Sequence, residues 1–134
     1  MAEEVTWREW SLDGLEVTQL RFDYQFHLSI LDRDRELLLI FGVPFRLRVP
    51  TGEERTLDPE QNETLGPLLP LLHQSVERFS AASDGRCVLR FQDGTELHGE
   101  PHDYYEAWEA HGKGSLADAS LLCGPGGSSP WGES

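Results

Sequence analysis

Phe45-Arg-Leu-Arg-Val49 constrains the fold more tightly than any other segment. Its residues alternate apolar and basic, the repeat of a strand that buries one face and wets the other, so Phe45, Leu47 and Val49 point to a core and Arg46 and Arg48 to solvent. Such a strand needs neighbours, and the preceding sequence supplies them. Leu15–Phe22 alternates with one interruption, at Gln19. Phe26, Leu28 and Ile30 alternate with His27, Ser29 and Leu31, and the charged tip Asp32–Glu36 leads into Leu37-Leu-Leu-Ile-Phe41. That pair reads as a hairpin whose second strand is buried on both faces. Pro50-Thr-Gly52 closes the Phe45 strand as a turn, and the first half becomes an antiparallel meander.

The second half predicts a helix and more strands. Asp58-Pro59-Glu60 combines an acceptor at the N-cap, proline at the first helical position and acid in the first turn. Gly66-Pro67 and Pro70 interrupt, and the stripe Leu68, Leu69, Leu71, Leu72, Val76, Phe79 then predicts a main helix ending near Ala82. Cys87–Phe91 and Thr95–Gly99 form a hairpin across Asp93-Gly94. Tyr104–Glu109 fits a helix that gathers Tyr104, Tyr105 and Trp108 on one face, or a strand whose alternation sends Tyr105 and Ala107 inward and leaves Tyr104, Glu106 and Trp108 outward; the flanking Pro101 and Gly112 favour the strand, with Ser120–Cys123 as its partner. These elements describe an α+β fold, an antiparallel sheet of about seven to eight strands with one main helix packed on it. A single domain spans 1–134, with 1–13 a peripheral lead and 128–134 a peripheral tail in which Trp131 is tied down.

Charge narrows the partners. The chain carries 24 Asp and Glu against 11 Lys and Arg, a net charge of −13. Residues 1–56 hold 11 acids and 7 bases, net −4, and residues 57–134 hold 13 acids and 4 bases, net −9. That field repels nucleic-acid phosphates and anionic lipid, so neither is an expected partner, and it attracts basic proteins. The acidic N-terminus MAEEVTWREW has no apolar signal core, and the longest apolar run, Leu37–Phe41, is too short to span a membrane. Cys87 and Cys123 form no Cys-x-x-Cys pair. A cytoplasmic setting with free thiols is the expectation.

The acids concentrate around aromatics between Asp93 and Glu109, a stretch with six carboxylates and no Lys or Arg. Aromatics provide contact area and carboxylates provide steering, which is the composition of a surface that receives a basic protein. Asp103, Tyr104, Glu106, Trp108 and Glu109 are the candidate partner-binding residues, with Trp108 or Tyr104 at the energetic centre. Catalytic patterns are weaker. His98, His102 and Asp103 offer zinc donors, but Pro101 breaks the helix that would gather them, so they read as solvated loop residues. Cys123 with His111 as base lacks a positive environment for a thiolate. Gly124-Pro-Gly-Gly127 reads as a turn, because proline removes a donor that a phosphate loop needs. No catalytic, metal or cofactor residue is expected.

Phe22-Asp-Tyr-Gln25, Tyr105-Glu-Ala-Trp-Glu109 and Leu122-Cys-Gly-Pro-Gly-Gly127 followed by Trp131 resemble the pattern of small uncharacterised actinobacterial proteins, over roughly residues 14–131. The connection Gly112–Ser120 is longer here than in that pattern. Proteins of this type are similar to immunity proteins of polymorphic toxin systems. The resemblance implies an immunity-type inhibitor that occludes a basic toxin or enzyme, and it transfers no catalytic residue. The alternative is a non-catalytic structural or regulatory module that self-associates, as a homodimer, through strand edges or the Trp108 face.

Overall fold

The computed structural model describes residues 4–127 and 129–131. Among them, eleven strands build two antiparallel sheets: β1 Trp7–Ser11, β2 Glu16–Asp23, β3 Gln25–Leu31, β4 Arg35–Phe41, β5 Phe45–Arg48, β6 Glu54–Leu57, β7 Val76–Ala82, β8 Cys87–Phe91, β9 Glu96–Gly99, β10 Trp108–Gly114 and β11 Leu121–Cys123. One sheet runs β1-β7-β8-β9-β5-β6 and the other β11-β10-β4-β3-β2. The expected α+β class is therefore wrong, and the molecule is a two-sheet β structure.

The main helix does not form. Its first part is two 3-10 turns, Asn62–Thr64 and Gly66–Leu71, and Pro70 inside the second denies the backbone donor that a longer helix needs. Its second part is β7, which pairs with β1 on one side and β8 on the other. The pairing of β7 with β8 slips by one residue between Val76 and Arg78. A bulge there inverts the alternation, so Val76 and Phe79, three residues apart, are both buried. Three-residue apolar spacing is also what a helix shows.

The segment expected to be a peripheral lead contributes strand β1, with Trp10 and Leu12 buried. Trp10 Nε1 donates to Asp118 Oδ1 at 3.0 Å, and the Arg8 guanidinium lies 4.2 Å from the centre of the Trp131 ring. Residues 1–3 of that lead, and 128 and 132–134 of the tail, lie outside the described residues. The sheets join where the chain entering β2 meets the chain entering β7: Val76 N donates to Leu15 O, Val17 N to Gln74 O and His73 N to Val17 O.

The core fills the space between the sheets. Phe26 and Phe41 stack with Phe45 of the opposite sheet at centroid distances of 5.5 and 4.3 Å. Trp108 meets Phe79 edge-on at 6.0 Å. Leu39, Leu47, Leu89 and Leu97 complete it.

The outer face of β7-β8-β9-β5-β6 carries a ladder of opposite charges. Arg90 pairs with Glu77 and Glu96, Arg48 with Glu96 and Glu54, and Arg46 with Glu54 and Glu100. Glu96 is its hub. Burial pushes its carboxyl pKa up, but hydrogen bonds from His98 and Arg90 and their charges outweigh this and hold it below the ordinary 4.5. A lowered folded-state pKa gives stability that is present above the unfolded value and is lost as pH falls through the folded one. Thermal melts from about pH 6 to about pH 3 should therefore show a steeper loss in the wild type than in Glu96→Gln. Equal slopes would remove Glu96 as a contributor to acid unfolding.

Candidate functional site

Five connections meet at one end of the two sheets. Gly42–Pro44 links β4 to β5, Asp58–Glu60 follows β6, His102–Glu106 links β9 to β10, Pro125 follows β11, and Gln25 opens β3. Between them lies an open groove with a cavity volume of about 610 Å³, within the range of ligand-sized sites. Asp58, Glu60 and Glu106 line it together with Tyr104, Tyr105 and His102, and among the described residues no Lys or Arg does.

The β9–β10 connection is fixed at both ends. Gly126 N donates to His102 O at 2.9 Å, Gly42 N to Ala107 O at 3.0 Å, and Ala107 N to Cys123 O at 3.0 Å. The His102 ring lies 5.1 Å from Tyr105 and 6.1 Å from Tyr104, and its Nδ1 accepts from Tyr104 N. The two tyrosines nevertheless stand 79% and 66% exposed. Large rings on an anchored loop are cheap to bury against a partner, because little chain entropy remains to be lost.

The five expected partner-binding residues divide. Tyr104 and Glu106 line the groove, and Asp103 is exposed on the same connection. Glu109 lies elsewhere, on the outer face of β10 opposite Ile40 and Leu122. Trp108 is 1% exposed, and its Nε1 donates to Gly85 O at 2.8 Å. It is a core residue that ties β10 to the β7–β8 turn, which corrects its expected place at the centre of a docking face. Tyr105, expected to point inward as core, points out. Strand geometry begins only at Trp108, so the alternation assumed from Tyr104 onward does not apply. Asp58, Glu60 and Gln25 also line the groove, a role outside the sequence expectation, in which the two acids start a helix.

The other candidates scatter. His98 Nε2 is 2.9 Å from Glu96 Oε1 on the charged ladder, whereas His102 is in the groove wall and His111 on β10. Among the described residues no group of three His, Cys, Asp or Glu side chains could hold a metal. Cys87 and Cys123 are free and buried. Burial, with the Asp84 charge added, pushes the Cys123 thiol up to about 11, so it stays protonated at neutral pH and is no thiolate nucleophile. No helix among the described residues is long and apolar enough to cross a membrane.

No curated protein and no solved structure matches the chain. A family model does, over residues 8–132, which takes in every strand from β2 to β11, most of β1 and the whole groove. The chain belongs to that family, a family of unknown function (DUF6188).

Proposed function

We propose that this chain is an acidic protein-binding module of the immunity type, which inhibits a basic toxin or enzyme in the cytoplasm by occluding its cleft. One observation carries the reading: two exposed tyrosines on an anchored loop stand over a groove lined, among the described residues, by three carboxylates and no Lys or Arg. On the charged ladder, by contrast, Arg46, Arg48 and Arg90 each meet acids. At the groove the carboxylates project a negative field outward, which speeds encounter with a positive cleft, and the tyrosines supply the contact area.

A decapeptide of alternating arginine and glycine serves as a model of a basic cleft's charge. In a titration followed by amide chemical shifts, it should perturb Gln25, Gly42 and Tyr104–Glu106. Its affinity should fall at least about tenfold as ionic strength rises from about 0.05 to about 0.5 M. Glu106→Lys should abolish the shifts, and Tyr104→Ser with Tyr105→Ser should weaken them. Binding that ignores both salt and these substitutions, or that maps to the charged ladder, would overturn the reading.

A further inference from the structure

We propose that the free edge of β2, from Leu20 to Asp23 and on to the turn residue Tyr24, pairs antiparallel with the same edge of a second copy of this chain, about a two-fold axis through Phe22.

Backbone alternation shows which groups of β2 face outward. Asp32 N donates to Arg35 O. In an antiparallel ladder the bonded pairs alternate, so Phe26, Leu28 and Ile30 bond β4 while Gln25, His27 and Ser29 bond β2. Their partners Asp23, Arg21 and Gln19 thus face β3, and the N–H and C=O groups of Leu20 and Phe22 face away from the sheet. Outside the ladders, no backbone bond among the described residues reaches Leu20 or Phe22. The start of the strand is covered by its bonds to His73 and Gln74, which leaves Gln19–Asp23 bare.

Edges of this kind are usually shortened or guarded by lysine or proline. β6 and β11, also at sheet edges, are four and three residues long. β2 is eight residues long and contains neither lysine nor proline.

The bare edge is complementary to itself. With Phe22 on the axis, Arg21 of each copy stands opposite Asp23 of the other, and Leu20 opposite the turn residue Tyr24 that follows the strand. Within one copy Arg21 Nη2 lies 3.1 Å from Asp23 Oδ2, so the axis brings two such pairs together with their signs alternating. Both charges lie on one face of the strand and Leu20 and Phe22 on the other. An isologous interface requires that reciprocity, each residue meeting its complement twice. The apolar members are also exposed: Tyr24 is 85% and Phe22 38% accessible, and Leu69 beside them is 61%. Phe22, Leu65, Gly66 and Leu69 line a pocket of about 220 Å³ at this edge. The register brings Phe22 of the second copy to its mouth. The contact is small by the standard of stable complexes, so the dimer should be reversible, forming between about 10 µM and about 1 mM.

Sedimentation velocity across that range tests the pairing. Arg21→Asp and Asp23→Arg should each weaken the dimer at least about tenfold, because each places like charges opposite one another twice. The double variant Arg21→Asp/Asp23→Arg should restore it to within about threefold, and an equimolar mixture of the two single variants should form a heterodimer. In the wild type, exchange of the Leu20 and Phe22 amides should slow as concentration rises, while that of Gln19 and Arg21 should not change, which keeps the test valid should a variant fold poorly. A wild type that stays monomeric to about 1 mM, or a dimer indifferent to both charge changes, overturns the pairing.

Discussion

Replacing Trp108 with alanine should lower the free energy of unfolding by about 3–5 kcal/mol, the range for deleting a large buried aromatic. Two losses add. The indole leaves a cavity between the sheets beside Phe79, whose ring it meets edge-on. The Gly85 carbonyl also loses the indole N–H and keeps only the weaker thiol donor of Cys123, 3.4 Å away, and losing a buried hydrogen bond costs about 0.5–1.5 kcal/mol. Trp108→Phe separates the two terms, since it keeps most of the ring and removes only the donor; its cost should be about half that of alanine or less. Tyr104→Ala, four residues earlier and mostly exposed, should change stability by no more than about 0.5 kcal/mol. Denaturant unfolding of the three variants gives the ranking. The core assignment of Trp108 fails if its alanine variant is as stable as that of Tyr104. Because a domain of this size is stable by about 5–15 kcal/mol in all, Trp108→Ala is also a poor probe of binding. Any loss of partner affinity it causes reports unfolding.

That contrast shows why the candidate site was only half legible. Tyr-Tyr-Glu-Ala-Trp-Glu is the composition of a docking surface, but composition does not say where a strand begins. The chain bends through Tyr104 and Tyr105 before β10 starts, so a single alternation extended across the whole run put Tyr105 inside and Trp108 outside. The carboxylates of Asp58 and Glu60 reach the groove through tertiary structure, about 45 residues away along the chain, a separation that no local pattern can report. The fold followed the same division. β3, β5, β8 and β9 announced themselves by alternation and by Asp-Gly in the hairpin turn, since each keeps one phase from end to end, and β4 by its continuous apolar run. β7 did not, because its bulge resets the phase and leaves Val76 and Phe79 at helical spacing. The leucines before it strengthened the error: Leu68 and Leu71 are buried, but on a proline-bearing 3-10 turn. β1 was hidden for another reason. Of its five residues only Trp10 is buried, so its sequence carries almost no alternation to read.

Gly112→Ala should be a severely damaging small substitution, with a cost of at least about 3 kcal/mol, the upper end of overpacking effects. A Cβ at Gly112 would stand 1.8 Å from the backbone oxygen of Leu116 and 2.7 Å from its carbonyl carbon. Side-chain rotation cannot relieve an overlap with backbone. Either β10 must shift against β4, or the connection from Ser115 to Ser120 must lift. Lifting it breaks the Ser120 Oγ contacts to Gly112, exposes Leu116 and Ala119, and removes the Asp118 contact to the Trp10 indole of β1. The β10–β11 connection is thus held flat on the sheet by the absence of one side chain, and through Asp118 it reaches β1, an edge strand of the other sheet. Gly66→Ala is the control, because nothing lies within 4 Å of a Cβ there and its effect should stay within about 0.5 kcal/mol. Thermal melting ranks the two variants, and amide exchange distinguishes the two ways of yielding. Fast exchange confined to residues 115–120 indicates a lifted connection with the rest of the core intact, whereas uniform loss of protection indicates a displaced β10. A Gly112→Ala protein that melts with the wild type would show that the close approach of Leu116 to β10 does not hold in solution.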